Sequence, residues 1–551
     1  MCYTVDSLEC CFFESAFGEE ERHMKTEQRQ LPVGIQSFEK IRENQCLYVD
    51  KTEYVYRLVH TNNPFFLSRP RRFGKSLLLS TMKAYWEGRK DLFRGLKIME
   101  LEADDPNAWE VHPVFYFDFN KADYKKAGAL EAVLLAHLQE WEALYGKTDD
   151  KAPLGVRFGL LLKAAAEQTG KNAVVLVDEY DKALLETMDD KELVEQSKAT
   201  FKGFFSVLKS YDAYIQFIFI TGVTKFSKVS IFSDLNQLRD ISMVKEYAEL
   251  CGITEDELKA TFTPEIEALA QEQEITSEEC LVRLRNTYDG YQFHEKGAKV
   301  YNPYSLLTAF ADREFGSYWF ATGTPTFLVN RLKSIHFDVR KFTDGTLYAT
   351  KRMLTDYRDD NPDPIPLLYQ TGYLTIADYE PTAGSYTLKY PNEEVKYGFL
   401  DCLMPAYVDG VGAGSGKDVL SIKSYAESGD PDRIRDAFTA LFASIPYTTD
   451  RVPFEHDFQT VIYITLTLLG QFVKCESHTY MGRIDCVLET KNYVYIFEFK
   501  RDSSPEEALK QIEDMHYADP YAAFPGTVYK IGVNFDSETR QLAGWKAELA
   551  G

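Results

Sequence analysis

The run Val494-Tyr-Ile-Phe-Glu-Phe-Lys500 constrains this chain more than any other stretch. It is rich in β-branched and aromatic side chains, which predicts a strand, and a strand sends alternate side chains to opposite faces. Glu498 and Lys500 therefore share one face while Phe497 and Phe499 point into a core. A second strand-like run, Arg483–Leu488, precedes it and overlaps Gly482-Arg-Ile-Asp485. With Lys491-Asn492 as a two-residue turn, Asp485 falls opposite Glu498. Two carboxylates and an ammonium then meet in one place, which suits Mg²⁺-assisted hydrolysis of a phosphodiester. Asp485 and Glu498 supply oxygen ligands to the metal, and a metal-bound water loses its proton more readily. Lys500 positions that water and offsets developing negative charge. Alternating charges on an exposed hairpin are the bland reading of the same pattern.

A second constellation lies near the N-terminus. Phe65-Phe66-Leu67 leads into Ser68-Arg-Pro-Arg-Arg-Phe-Gly-Lys-Ser76, and a helix begins at Leu77. In this strand–loop–helix layout, loop amides and a helix N-terminus face phosphates. Arg71, Arg72, Phe73, Gly74, Lys75, Ser76 and Leu77 form the expected cofactor-binding segment. Lys75 reaches the terminal phosphates and Ser76 ligates Mg²⁺. A full motif carries Gly at position 69, where this chain has Arg69. Further on, Ala173-Val-Val-Leu-Val-Asp-Glu-Tyr-Asp181 is an apolar strand ending in two acids. Asp178 is the expected second ligand to Mg²⁺, and Glu179 the group that orients or deprotonates the attacking water. The polar strand end Thr221-Gly-Val-Thr-Lys225 falls where a γ-phosphate sensor is expected, so Thr221 joins the nucleotide set. Asn236 and Arg239 fit surface roles better.

At 551 residues with 45% apolar side chains, the chain predicts several cores, not one. The fold class is α/β, a P-loop NTPase with a parallel sheet and helices on both faces. A mostly helical middle follows, then a C-terminal α/β restriction-endonuclease-like domain. The expected boundaries are an extension at 1–30 whose true start could be Met24, an ATPase domain at 31–245, a helical lid or winged-helix-like region at 246–408, a linker at 409–430 and a nuclease-like domain at 431–551. The linker rests on the Gly-rich Asp409–Lys417, whose GxGxGK has no strand feeding it and no Ser or Thr after the Lys. No run of about twenty apolar residues occurs, so a membrane is not an expected partner. Nine scattered cysteines without a CxxC suit thiols in the reducing cytoplasm. A net charge of −23 excludes a general nucleic-acid coat but leaves room for a local basic groove. Phe66–Ile98 is such a patch, with nine Lys/Arg against two acids. Phosphate binding plus a solvated helix face explains it better than a nucleic-acid groove.

The chain resembles the bacterial AAA-ATPase-like proteins whose degenerate phosphate loop reads RPRRFGKSL. The resemblance rests on Leu31-Pro-Val-Gly34, Tyr48-Val-Asp-Lys51, Arg69–Leu77, Val177–Asp181, Thr221–Lys225, Tyr288-Asp-Gly-Tyr291, Tyr301-Asn-Pro-Tyr304, Tyr318–Pro325 and Tyr369–Leu374. Arg69 belongs to that family's own loop. The family often ends in a nuclease module of the PD-(D/E)xK superfamily, which Asp485, Glu498 and Lys500 resemble. That resemblance implies Glu455 as a further metal ligand and Gln511 as the superfamily's trailing glutamine. It implies ATP and Mg²⁺ as cofactors, with Mn²⁺ an alternative at the nuclease site. It also implies nucleic acid as a partner, DNA in preference to RNA, and a homo-oligomer as one assembly. Residues 451–551 hold ten Lys/Arg and fifteen Asp/Glu, which is acidic for a domain that cuts DNA. Two readings follow: a nucleotide-gated nuclease, or a nucleotide-switched signalling or nucleic-acid-binding protein whose nuclease fold does not cut. The aromatic motifs of the middle region are read as packing.

Overall fold

The computed structural model describes residues 29–61, 63–226, 238–320, 347–358, 363–407, 417–443, 486–536 and 541–550. It also describes isolated positions between 328 and 342, short pieces between 463 and 476, and 538–539. Asp485, Glu455, Asn236, the extension 1–28 and the Gly-rich 409–416 lie outside the described residues.

Five parallel strands form the first sheet. They are β1 (Phe65–Ser68), β2 (Val114–Asp118), β3 (Ala173–Asp178), β4 (Ile215–Gly222) and β5 (Arg239–Asp240), in the order β2-β3-β4-β1-β5. β1 and β3 are apolar almost without alternation and almost wholly buried, as strands covered on both faces must be. The order places β4 between the strand that feeds the phosphate loop and the strand that ends in Asp178. Ile220 pairs with both Phe66 and Val177, so the three strand ends lie level at one edge. That edge, where the order reverses, is where an open α/β sheet binds its ligand. The helices Lys75–Trp86, Ala129–Tyr145, Leu154–Thr169 and Lys191–Phe205 pack around the sheet.

The middle region begins with a two-stranded pair, β6 (Ile253–Thr254) and β7 (Val300–Tyr301), and the helices Glu255–Thr261, Thr263–Glu272, Ser277–Tyr288 and Pro303–Asp312. Thr254 with Glu257 and Thr276 with Glu279 form capping boxes that start two of these helices. Pro264 in the first turn separates the first two, as its missing N–H requires. A three-stranded antiparallel sheet follows, β8 (Tyr348–Thr350), β10 (Ser385–Lys389) and β9 (Thr375–Glu380) in spatial order, and then the helix Glu393–Tyr407.

The C-terminal sheet runs in sequence order: β11 (Lys474–Glu476), β12 (Cys486–Glu489), β13 (Tyr493–Arg501), β14 (Thr527–Asp536) and β15 (Gln541–Leu549). Only β13 and β14 are parallel, and the helix Pro505–Asp514 crosses between them. Both faces of β13 are covered. Val494 and Ile496 pack with Leu509 and Ile512 of the crossover helix. On the other face Phe497 stacks toward Phe438 and Trp545, and the Tyr495 hydroxyl donates to the Ala426 carbonyl at 2.9 Å. Each such buried side chain contributes about 1.5–3 kcal/mol of hydrophobic stabilisation.

One boundary needs correcting. The expected linker 409–430 contains a helix, Lys417–Ser428, packed against Pro431–Ala443. Ile422 and Ala426, one helical turn apart, are wholly buried. The glycines before Lys417 masked a periodicity that begins only after them.

Candidate nucleotide and nuclease sites

At the edge of the first sheet the chain turns sharply between β1 and the helix Lys75–Trp86. Arg72 (φ 68) and Gly74 (φ 88) both take left-handed backbone. These two reversals send the intervening Phe73 inward, edge-on to Tyr291 at 4.7 Å and Phe293 at 5.6 Å. Phe73 is 1% exposed and does not border the neighbouring cavity, so its side chain anchors the loop and only its backbone is left to face a phosphate. Arg69 anchors the other end. Its buried guanidinium donates to the carbonyls of Ser68 (2.9 Å), Ser242 (2.8 Å) and Tyr247 (2.9 Å) and lies 4.0 Å from the centre of the Phe293 ring. Where a full motif has glycine, this loop has a side chain that ties it to the segment after β5.

A cavity of about 330 Å³ opens beside the loop. Arg71, Arg72, Gly74, Lys75, Ser76 and Leu77 border it, as does Glu179. Lys75 Nζ donates to the carbonyls of Arg69 and Pro70, each at 3.0 Å, and lies 4.0 Å from Glu179 Oε1. Asp178, at the end of β3, accepts from Thr221 Oγ1 at 2.9 Å and from the Tyr116 hydroxyl at 3.2 Å. Burial pushes its carboxyl up and the charge of Glu179 adds to this. Hydrogen bonds from Ser76 and Thr221 and the charge of Lys75 pull the other way. A hydroxyl joined to a buried carboxylate is a pair of hard oxygen donors and fits a nucleotide's Mg²⁺. Glu179 itself adopts left-handed backbone (φ 51), rare for a residue with a Cβ, and its amide donates to Thr221 Oγ1 at 3.2 Å. Thr221 is wholly buried against Asp178, and neither of the two borders the cavity. Its hydroxyl donates to the Asp178 carboxylate and accepts from the Glu179 amide, so it positions both acids.

Several residues here escaped the sequence reading. Asp181 is wholly buried and accepts from the amides of Val223 and Thr224 and from the Thr224 hydroxyl at 2.7 Å, locking β4's end to β3's. The far wall of the cavity comes from Pro32 and Ile35 and from Pro303, Tyr304 and Leu307. Asn302 caps that last helix by accepting from the amides of Tyr304 and Ser305, and the Arg72 guanidinium lies 4.5 Å from the centre of the Tyr304 ring. Trp319 Nε1 donates to the Arg71 carbonyl at 3.2 Å. The aromatic motifs of the middle region thus close on the phosphate loop. Elsewhere in the basic patch, Lys83, Arg89 and Lys97 pair with Glu87, Glu39 and Glu100, as a solvated helix face does.

In the C-terminal domain the hairpin register is the expected one. Cys486 pairs with Phe497 and Glu489 with Val494, around a turn at Lys491-Asn492. Glu498 is 2% exposed, and Lys500 Nζ donates to its Oε1 at 3.1 Å. Lys500 Nζ also donates to Gln511 Oε1. Gln511 reaches it because the crossover helix sits close on the sheet: a Cβ on Gly532, the partner of Glu498 in β14, would lie 2.1 Å from the Pro505 carbonyl. The structure therefore brings Glu498, Lys500 and Gln511 together. Asp485 and Glu455, the other two expected members, lie outside the described residues. A buried carboxylate held beside an ammonium offers the oxygen ligand that a hard divalent cation needs.

Comparison with known proteins agrees with this geometry. Residues 32–232 match the family described as "Predicted AAA-ATPase", and residues 453–545 match the PD-(D/E)XK nuclease superfamily. The chain is 36% identical over 535 residues to an "Uncharacterized protein in vnfD 5'region" from Azotobacter chroococcum mcd 1, covering 95% of this chain and 99% of that one. No helix among the described residues is long and apolar enough to cross a membrane. The chain belongs to the AAA-ATPase-like family, and it carries a PD-(D/E)XK nuclease-superfamily domain behind its ATPase-like domain.

Proposed function

We propose that the chain is a nucleotide-gated, Mg²⁺-dependent nuclease that cuts DNA phosphodiesters. The observation that carries this reading is the meeting of Glu498, Lys500 and Gln511 on β13 and its crossover helix. Lys500 sits where it orients a nucleophilic water and offsets charge on the scissile phosphate, and Gln511 fixes the direction of its ammonium. Glu498, with Asp485 and Glu455 from the sequence, would hold Mg²⁺ or Mn²⁺, which supplies Lewis-acid stabilisation and a more acidic water when bound. In the ATPase-like domain Ser76 and Asp178 would hold the nucleotide's Mg²⁺, Lys75 would turn from two backbone carbonyls to the phosphates, and Glu179 would deprotonate or orient water.

The test is cleavage of single- and double-stranded DNA and RNA by the purified chain with Mg²⁺ or Mn²⁺, with and without ATP. DNA cleavage that depends on the metal, changes with ATP and disappears in Asp485→Ala supports the proposal. No cutting under any of these conditions overturns the catalytic part.

The acidity of residues 451–551 favours a second reading, a nucleotide-switched protein that binds nucleic acid without cutting it. Nucleotide binding without turnover in the native chain, unchanged in Glu179→Gln, decides for that reading.

A further inference from the structure

Away from both sites, three side chains converge where the helix Thr52–Val59 ends beside the helix Lys97–Leu101. His60 caps the first helix and Glu102 the second. His60 Nε2 lies 3.4 Å from Glu102 Oε2 and 3.4 Å from Asp105 Oδ2. One ligand atom from each of the three falls within 4.8 Å of the others. None of the three borders the nucleotide cavity.

Three features of this cluster call for a cation. The Glu102 side chain is wholly buried; its Oε1 accepts from the Tyr85 hydroxyl at 2.7 Å, while its buried Oε2 has no hydrogen-bond partner and faces the imidazole. The imidazole is also oriented. His60 Nδ1 lies 2.9 Å from the Tyr56 carbonyl, which can only accept, so Nδ1 carries a proton and Nε2 of the neutral ring carries a lone pair. Metal-bound histidines are held by this kind of bond from the other ring nitrogen. A lone pair aimed at two carboxylate oxygens is repelled by both unless a proton or a metal cation lies between them. The two distances from His60 also match a metal's coordination edge. Ligands about 2.0–2.1 Å from a tetrahedral zinc lie about 3.3–3.4 Å from one another. A proton is the rival, on Nε2 or on the Glu102 carboxyl that burial pushes up, but charge-assisted bonds run at about 2.7–2.9 Å, shorter than either distance here.

We propose that His60 Nε2, Glu102 Oε2 and Asp105 Oδ2 bind a divalent transition metal of the zinc class, with water as the fourth ligand. The water enters from the side on which the His60 and Asp105 side chains are each 33% exposed. The site is a clamp. Asp50 already accepts from the Lys97 amide at 2.7 Å, and Thr52 from the Ile98 amide at 3.1 Å, so the metal completes a seam between the two helices.

The test is titration of the chelator-stripped full chain with Co²⁺ and then Zn²⁺. Glu498→Gln and Asp178→Asn are introduced so that the two other metal sites do not contribute. One equivalent of Co²⁺ is expected, with four-coordinate ligand-field bands, no thiolate charge-transfer band, displacement by Zn²⁺ and a higher Tm. His60→Ala and Asp105→Asn each weaken binding on the order of a hundredfold. Asp105→Asn, at a partly exposed position, leaves the metal-free Tm unchanged, which separates lost ligation from misfolding. No binding at micromolar metal, or equal binding by parent and variants, overturns the site. So does a His60 ring that carries protons on both nitrogens at neutral pH and ignores Zn²⁺.

Discussion

Two lysines occupy the centres of the two sites, and they are held in opposite ways. Lys75 is 3% exposed and donates to two backbone carbonyls of its own loop. Lys500 has a side chain 28% exposed and donates to two side chains, Glu498 and Gln511. The first arrangement depends on the shape of the main chain and survives most substitutions around it. The second depends on the identity of two residues, one two positions away on the strand and one on the crossover helix. Main-chain partners also make Lys75 a group at rest, because a ligand rich in acceptors displaces carbonyls easily. Lys500 is already aligned by a carboxylate and an amide oxygen, so its position is preorganised.

The largest effects are expected from deleting each lysine in turn. On the proposed role of Lys500 in offsetting charge at the scissile phosphate, cleavage should fall by about 10²–10³-fold in Lys500→Ala. ATP binding should be untouched, as read by nucleotide titration. Lys75→Ala should instead weaken ATP binding on the order of a hundredfold, the loss of about 3 kcal/mol expected for a charged hydrogen-bonding partner of phosphate. It should leave metal-dependent cutting without ATP intact. Equal loss of both activities in either variant would break the comparison, because the two sites would then act as one.

Arg69 sharpens the claim that the first site is built from main-chain shape. Arg69→Gly restores the residue of a full phosphate-loop motif, yet it strands the carbonyls of Ser68, Ser242 and Tyr247. Leaving buried carbonyls without their donor costs about 1–3 kcal/mol each. The variant should therefore be less stable in urea by that order, with unchanged dependence of stability on denaturant. A more stable glycine variant would mean that the guanidinium is a tolerated burden and not an anchor.

How much of this was legible beforehand follows the same division. β1, β3 and β4 announced themselves as continuous apolar runs, and the hairpin register of β13 followed from strict alternation and a two-residue turn. Lys75, Ser76, Asp178 and Glu179 could be singled out as candidates because their chemistry is local to strand ends. Arg69 could not, since its partners lie 173 and 178 residues away and no local pattern records them. Tyr304 and Pro303 read as packing because only the fold brings their helix to the cavity. Phe73 and Thr221 entered the nucleotide set by adjacency, and burial of both side chains, which no local pattern announces, gives them anchoring and positioning contacts. The helix Lys417–Ser428 was hidden by the composition of the segment before it.

Glu394 tests whether the phosphate loop feels the helix Glu393–Tyr407. It begins that helix, and its Oε1 accepts from the Tyr318 amide (2.7 Å), the Trp319 amide (2.8 Å) and Ser305 Oγ (3.1 Å). Trp319 in turn holds the phosphate loop at Arg71. Burial raises the Glu394 carboxyl to about 7, against the pull of those three hydrogen bonds. The folded state therefore binds a proton that the unfolded state has released, so stability falls as pH rises from about 4.5 to about 7 and stays low above it. The contribution is at most about 3 kcal/mol. Glu394→Gln mimics the protonated acid, and thermal unfolding should lose most of its decline across that window. ATP affinity should lose the same part of its pH dependence if the loop feels this helix.

Gln511→Ala is the smallest of these changes and the one most specific to Lys500. The alanine keeps the crossover helix, since position 511 lies on its partly buried side and alanine is the best helix former. It removes one of the two acceptors that aim the ammonium and leaves Glu498 as the other. An ammonium with one partner samples more rotamers, so productive alignment becomes rarer while its charge remains. Cleavage should fall about tenfold, roughly 1.4 kcal/mol, with the loss in kcat and not in KM. ATP binding and Tm should stay within error. A loss as large as that of Lys500→Ala would instead make Gln511 a contact to the substrate or metal. No loss at all would show that Glu498 alone directs the lysine, leaving β13 as sufficient without its crossover helix.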